Sequence, residues 1–190
     1  MSQKITKNFS FHEFRPKGKP KTWMPNNRFT KGLIVNLATN LQIVRSALPR
    51  GSWIQITSGV RAPEDYRRLV KAGYRPSTTS DHNFGNAVKL TVNTNKYKKY
   101  GPTYNFSVGA ADCVSHNLDV RNLFDIAKKL TEENKCRFGQ VIYEENPNTG
   151  AKWVHFGADP SYYFSEEVVK FIGRLPFLVS LDGGKSYQLP

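Results

Sequence analysis

The stretch "GQVIYEENPNTGAKWVHFG", Gly139 to Gly157, decides the fold. "GQVIYEE" and "KWVHFG" are rich in β-branched and aromatic residues, and the turn formers of "NPNTGA" lie between them. Two strand-like runs joined by so short a turn predict an antiparallel hairpin. Its second arm carries His155.

Upstream of the hairpin, "WIQIT" (53–57) alternates and is rich in β-branched residues, which predicts a core strand. "AVKLTVN" (87–93) alternates again and is expected to pair with it. From Thr30 onward Leu33, Leu37, Leu41, Val44 and Leu48 recur at helical spacing, while Lys31, Asn40 and Arg45 fall on other faces. That pattern predicts an amphipathic helix ending near Pro49-Arg50-Gly51. A turn and a short helix from about Pro63 to Gly73 follow the first strand. A second long helix is expected over 119–134, with Asp119 as N-cap and Leu123, Ile126, Ala127 and Leu130 as its apolar face.

Beyond the hairpin, "SEEVVKFIG" (165–173) reads as a short capped helix with Gly173 past its end. "FLVSLDGGKSYQL" (177–189) reads as a small hairpin turning at Asp182-Gly183-Gly184. Near the start, "RPKGKPKTWMPNN" (15–27) carries three prolines and a glycine and is a loop rather than a helix. The order predicts an α+β fold, a small antiparallel sheet flanked by helices. One domain is expected over 1–176, with 1–29 as an N-terminal loop segment and 30–176 as helices and sheet, followed by a hairpin tail at 177–190.

The 190 residues suit a single core, and twelve Phe, nine Tyr and three Trp supply the apolar volume to pack it. Cys113 and Cys136 have no CxxC spacing, which argues against both a disulfide framework and a thiolate zinc site. Lys plus Arg is 28 against 15 Asp plus Glu, and the resulting +13 favours an anionic partner: a cell-envelope polymer, lipid head groups or nucleic acid. The basic residues are dispersed, as on a solvated surface, so a dedicated nucleic-acid patch is the weaker expectation. No apolar run approaches the roughly 18 residues of a membrane span, and "MSQKITKNFSFHEF" lacks a secretion-signal core. The chain is therefore expected to be made in the cytoplasm, with a phage virion or, through lysis or particle delivery, a host envelope as its later locations.

His12, His82, His116 and His155 are the four histidines; His82 precedes a predicted strand and His155 lies within one. Three motifs, "ITSGVR", "SDHNFGNAV" and "WVHFG", preceded by "FSFHEF", occur in an order that resembles the LAS metallopeptidases. These are the D-alanyl-D-alanine carboxypeptidases and related phage endolysins, of the Hedgehog/D,D-peptidase type. The resemblance runs from about Phe9 to His155. It implies a zinc peptidase of D,D- or L,D-specificity acting on peptidoglycan, with His, Asp and His holding Zn²⁺ and a glutamate as base.

Carried over residue by residue, the resemblance implies His82 and His155 as zinc ligands and Arg61 as the group that binds the substrate carboxylate. Ser80 and Gly85 match too, Ser80 as a substrate-binding candidate, while a turn serine and a glycine for close backbone approach are the plainer readings and support fold more than function. A surface salt bridge of Arg61 with Glu64 or Asp65 is an equal alternative. The aspartate of S-x-H-x-x-G-x-A-x-D falls on Lys89, a cation with no lone pair to offer. The positions shortly before His155, where the family carries an acid, are Ala151 and Lys152, leaving Glu144 or Glu145 across the hairpin as candidate bases. Asp81, Asp112, Cys113 and His116 are the chemical alternatives for the missing ligand. Asp81 is expected to point away along an extended backbone, and the other three lie in a segment with no predicted element. The clusters around His12 and Cys113 are set aside as metal sites.

Two expectations follow. Lys89 can weaken or abolish zinc hydrolysis, its ammonium occupying the volume of the ion. The protein is then either a peptidoglycan-directed peptidase with a degenerate centre or a non-catalytic descendant, a pseudoenzyme that binds cell wall or serves in a phage particle. A basic nucleic-acid-binding protein is a third reading that rests on charge.

Overall fold

Side chains alternate across a strand, so the hairpin must send one set of residues to each face. In the computed structural model, which describes residues 3–71, 80–83, 109–159, 161 and 177–190, it does so. Strand β3 (Phe138–Asn146) pairs antiparallel with β4 (Ala151–Ala158). Val141, Tyr143, Val154 and Phe156 turn into the core, while Ile142, Glu144, Trp153 and His155 occupy the other face. The remaining strands are β1 (Trp53–Ser58), β2 (Ala110–His116) and β5 (Phe177–Ser180).

The sheet order is β1-β2-β4-β3-β5, antiparallel except for the parallel pair β3 and β5. The fold is α+β, and its sheet is mixed rather than wholly antiparallel. The predicted terminal hairpin is partly present: Val179 and Gln188 form an antiparallel bridge around the expected turn. Its first arm, β5, also belongs to the main sheet, lying parallel beside β3. The partner of β1 is β2, a segment in which no strand was predicted. "AADCVSH" hides its strand character behind small and polar residues. The strand expected at 87–93 and the helix expected at 165–173 lie outside the described residues.

Helix α1 (Arg28–Ala47) starts two residues earlier than its apolar pattern, because the Asn27 side chain caps it by accepting from Phe29 N (2.7 Å) and Thr30 N (3.4 Å). Leu33, Leu37, Leu41 and Val44 are fully buried, as the spacing requires. Helix α2 (Pro63–Lys71) follows β1. Helix α3 (Val120–Glu132) is capped by Asp119, which accepts from Arg121 N at 2.7 Å, and it stops where Asn134 takes a positive φ of 56°. Helices α1 and α3 pack against the core face of the sheet, leaving the Glu144 and His155 face to form a cleft.

The N-terminal "FHEF" turn (Phe11–Phe14) closes the end of β1: Val60 N donates to Phe14 O at 2.8 Å. A Cβ on Gly59 would lie 2.6 Å from both Cα and O of Phe14, so only glycine allows this approach. Gly59→Ala is therefore expected to cost about 1–3 kcal/mol through overpacking. A urea denaturation midpoint checks it; an unchanged midpoint would mean the turn is not held this tightly.

Candidate metal centre

The sheet register places Asp112 directly opposite His155 on β2 and β4, with both side chains on the cleft face. A bulge supports this row: Ile56 pairs with Cys113 and Ser58 with Asp112, leaving Thr57 as the extra residue, whose hydroxyl donates to Asp112 O at 3.1 Å. His82 arrives from a different part of the chain, on the 3₁₀ turn Asp81–Asn83. That turn is tied to the end of β1, because Arg61 N donates to His82 O (2.7 Å) and the His82 Nδ1 bonds Gly59 O (2.7 Å).

The three side chains converge. His82 Nε2 lies 3.1 Å and His155 Nδ1 2.9 Å from the same Asp112 Oδ1, and the three ligand atoms fall within 4.8 Å of one another. His82, Asp112 and His155 thus form a group that can hold a metal ion. The donor set fits a cation for a further reason. A carbonyl only accepts, so His82 must spend its Nδ1 proton on Gly59 O, and its neutral form turns a bare Nε2 lone pair toward a carboxylate oxygen. Two lone pairs facing each other require a proton or a metal between them.

Without a metal, protons shared among the three groups take that place. Burial alone pushes the Asp112 carboxyl up, but the charge of His82 and the hydrogen bonds from both imidazoles outweigh it and hold the group far below the usual carboxylate range. For His155, burial pulls the imidazole down, while the Asp112 hydrogen bond and the charges of Asp112, Glu144 and Asp81 lift it above its ordinary value. The centre is an anion flanked by two bases, ready to exchange protons for a divalent ion.

Strand alternation separates the two candidate bases. Glu144 faces the cleft one step along from Ile142, the partner of His155, and is 8% exposed. Its carboxylate accepts no hydrogen bond from a described residue, and burial raises its pKa to about 7, with the His155 charge opposing and the Asp112 charge adding. Glu145 points to the opposite face, where Tyr143 Oη donates to it at 3.2 Å and Lys152 Nζ lies 3.6 Å away. Glu145 does not reach the site.

Arg61 and Ser80 both line the cleft, the guanidinium donating to Ser80 Oγ at 3.0 Å. Burial lowers the arginine pKa while Asp112 and Asp65 raise it, and the guanidinium keeps its charge. Asp65, one of its expected salt-bridge partners, instead meets Arg68 at 3.3 Å and accepts from Ala62 N at 3.2 Å.

Among the alternative ligands, Asp112 joins the two histidines and the others do not. Asp81 sits on a 3₁₀ turn rather than in extended backbone, so it is buried along the cleft wall instead of pointing away. Cys113 is buried in the core, where burial raises its thiol well above the usual value. His116 stacks on Trp53 at 3.8 Å and bonds Gln55 Oε1 at 2.7 Å, and His12 bonds Ser10 Oγ at 2.7 Å. Lys89 and Gly85 lie outside the described residues. The carboxylate between the imidazoles is Asp112, and one signal for it was present in the sequence: Ala110-Ala111-Asp112 satisfies the A-x-D half of the motif that Ala87-Val88-Lys89 breaks.

No protein-family model, curated protein or solved structure matches this chain. Among the described residues no helix is long and apolar enough to cross a membrane.

Proposed function

We propose that the cleft is a zinc-dependent peptidase centre acting on cell-wall peptides, of the D,D- or L,D-type that the sequence resembles. One observation carries the reading: His82, Asp112 and His155 converge within 4.8 Å on the same cleft face as Glu144, a buried carboxylate without a described hydrogen-bond donor. Lys89 was the reason to expect lost hydrolysis, and Asp112 supplies the carboxylate whose absence that expectation assumed.

Two imidazoles and one carboxylate are the donor set of a catalytic rather than a structural zinc site. When bound there, zinc supplies a Lewis acid that polarises the scissile carbonyl and makes a water acidic. Glu144 receives the proton of the attacking water at its carboxylate as hydroxyl joins the acyl carbon, and returns it to the departing amine as the C–N bond then breaks. Burial in the cleft lifts its carboxyl above the ordinary value, which favours a group that both takes and returns a proton. Arg61, oriented by Ser80, offers a planar fork for a substrate carboxylate. The net charge of +13 suits an anionic envelope.

The test is elemental mass spectrometry of the purified, tag-free protein together with hydrolysis of a peptidoglycan pentapeptide. One zinc per chain is expected, with release of a terminal D-alanine or of a cross-bridge fragment that stops on chelation. A zinc-loaded protein inert toward every wall peptide would point to the non-catalytic binding role, and a protein that rejects zinc would overturn the reading.

A further inference from the structure

The cleft has a wall that the sequence motifs do not include. Residues 181–187, between β5 and the bridge partner Gln188, place Gly183, Gly184 and Tyr187 along the same cleft as Glu144 and Asp112. This loop is built to one shape. Asp182 accepts from Lys185 N (2.9 Å), Ser186 N (3.0 Å), Ser186 Oγ (2.6 Å) and Ser180 Oγ (2.9 Å), and Ser180 Oγ in turn accepts from Gly184 N (2.9 Å). Those bonds, the Ser186 hydroxyl foremost, hold the Asp182 carboxyl below its usual range. Gly183 N donates to Glu145 O at 2.8 Å, and paired bonds of 2.8 and 2.9 Å join Val179 to Gln188.

At the centre of the loop, Gly183 and Gly184 take φ values of 74° and 81°, in the left-handed region that favours glycine. The second of them also leaves space. A Cβ on Gly184 would sit 3.1 Å from Tyr187 Oη and 3.2 Å from Glu144 Oε2, so the phenol and the carboxylate both approach this glycine closely and a side chain here would crowd them. Tyr187 is about half exposed (48%), and its hydroxyl has no hydrogen-bond partner among the described residues.

From this geometry we infer that Tyr187 is a further catalytic residue, its hydroxyl donating a hydrogen bond to the substrate oxygen that gains negative charge as the amide is attacked. The assignment rests on the peptidase reading of the same site. Burial and the charges of Glu144, Asp112 and Asp182 push the phenol up to about 12, so it remains a donor over the whole working range. With Arg61 assigned to the substrate carboxylate, an oxyanion forming beside the carboxylates of Asp112 and Glu144 gains from a further hydrogen-bond donor. No proton leaves the tyrosine; it contributes a hydrogen bond only.

The experiment uses the full-length zinc-loaded protein, Tyr187→Phe and Asp182→Ala, with zinc content and thermal midpoint measured on each. The probe is a phosphinate analogue of D-alanyl-D-alanine, whose tetrahedral oxyanion mimics the attacked amide, with binding measured by calorimetry. Tyr187→Phe is expected to keep its zinc and midpoint and to lose roughly a hundredfold in analogue affinity. Its kcat should fall by a similar factor with KM nearly unchanged. Asp182→Ala should weaken analogue binding in the same direction by freeing the loop. Equal analogue affinity in wild type and Tyr187→Phe overturns the assignment alone. A wild-type protein that holds zinc but neither binds the analogue nor cuts peptide overturns the peptidase reading and this assignment with it.

Discussion

Replacing Asp112 with asparagine is expected to abolish stoichiometric zinc binding. The substitution keeps the shape of the side chain and removes its charge, leaving two imidazoles around a neutral amide that donates as readily as it accepts. In the present geometry a single Asp112 oxygen faces both His82 Nε2 and His155 Nδ1, so no other described ligand atom takes its place. Partners that merely support a ligand are worth roughly 10–100-fold in metal affinity, and the loss of an anionic ligand should exceed the upper end of that range. Competition titration against a chromophoric chelator reads the change. Lys89→Asp belongs in the same experiment. If Lys89 held the ligand position, that variant would gain zinc and Asp112→Asn would not lose it; with Asp112 as ligand, the pattern is reversed.

Changing Glu144 to glutamine should have the second-largest effect, and it separates chemistry from metal binding. Zinc content should remain at the wild-type level, because Glu144 is outside the converging group. Hydrolysis should fall by about 10²–10⁴-fold, the usual worth of a positioned general base. The same variant makes a prediction about stability. The folded carboxyl titrates at about 7 against an ordinary value of 4.5, so the folded state holds this proton more tightly than the unfolded chain. Its contribution to stability is fully present below 4.5 and is lost as pH rises through 7. Glutamine does not titrate. The metal-free variant should therefore gain on the metal-free wild type between pH 4.5 and 8, by at most roughly 3 kcal/mol, as read from urea melts at the two pH values. A gap that does not change with pH would mean that the buried carboxyl is not strained by its surroundings, and would remove the reason to regard it as a poised base.

The two experiments bear on a contrast already visible in the hairpin. Glu144 and Glu145 are adjacent in sequence and equal in chemistry, and the sequence alone had no means to choose between them. Once β3 is placed in a sheet with a helix-packed face and an open face, the period of two sends Glu144 into the cleft and Glu145 toward Lys152. Asp112 shows the same limit more strongly. Its ligand role depends on sitting opposite His155 across β2 and β4, a pairing between residues 43 positions apart. The nearest motif-like aspartate position is occupied by Lys89.

By itself the sequence determined the parts that depend on local spacing. These are the two long amphipathic helices with the Asp119 cap, the β3 and β4 hairpin, the strand leading to Arg61, and the two histidines worth watching. Such features follow from side-chain periodicity and turn chemistry within a few residues, which the chain carries wherever it folds. Only the tertiary structure decided that β5 joins the sheet in parallel, that the C-terminal loop walls the cleft, and that the third ligand atom comes from β2. Those outcomes depend on which strands lie side by side and in what register. Register is set by burying one face of the whole sheet against α1 and α3, a condition that no single segment contains.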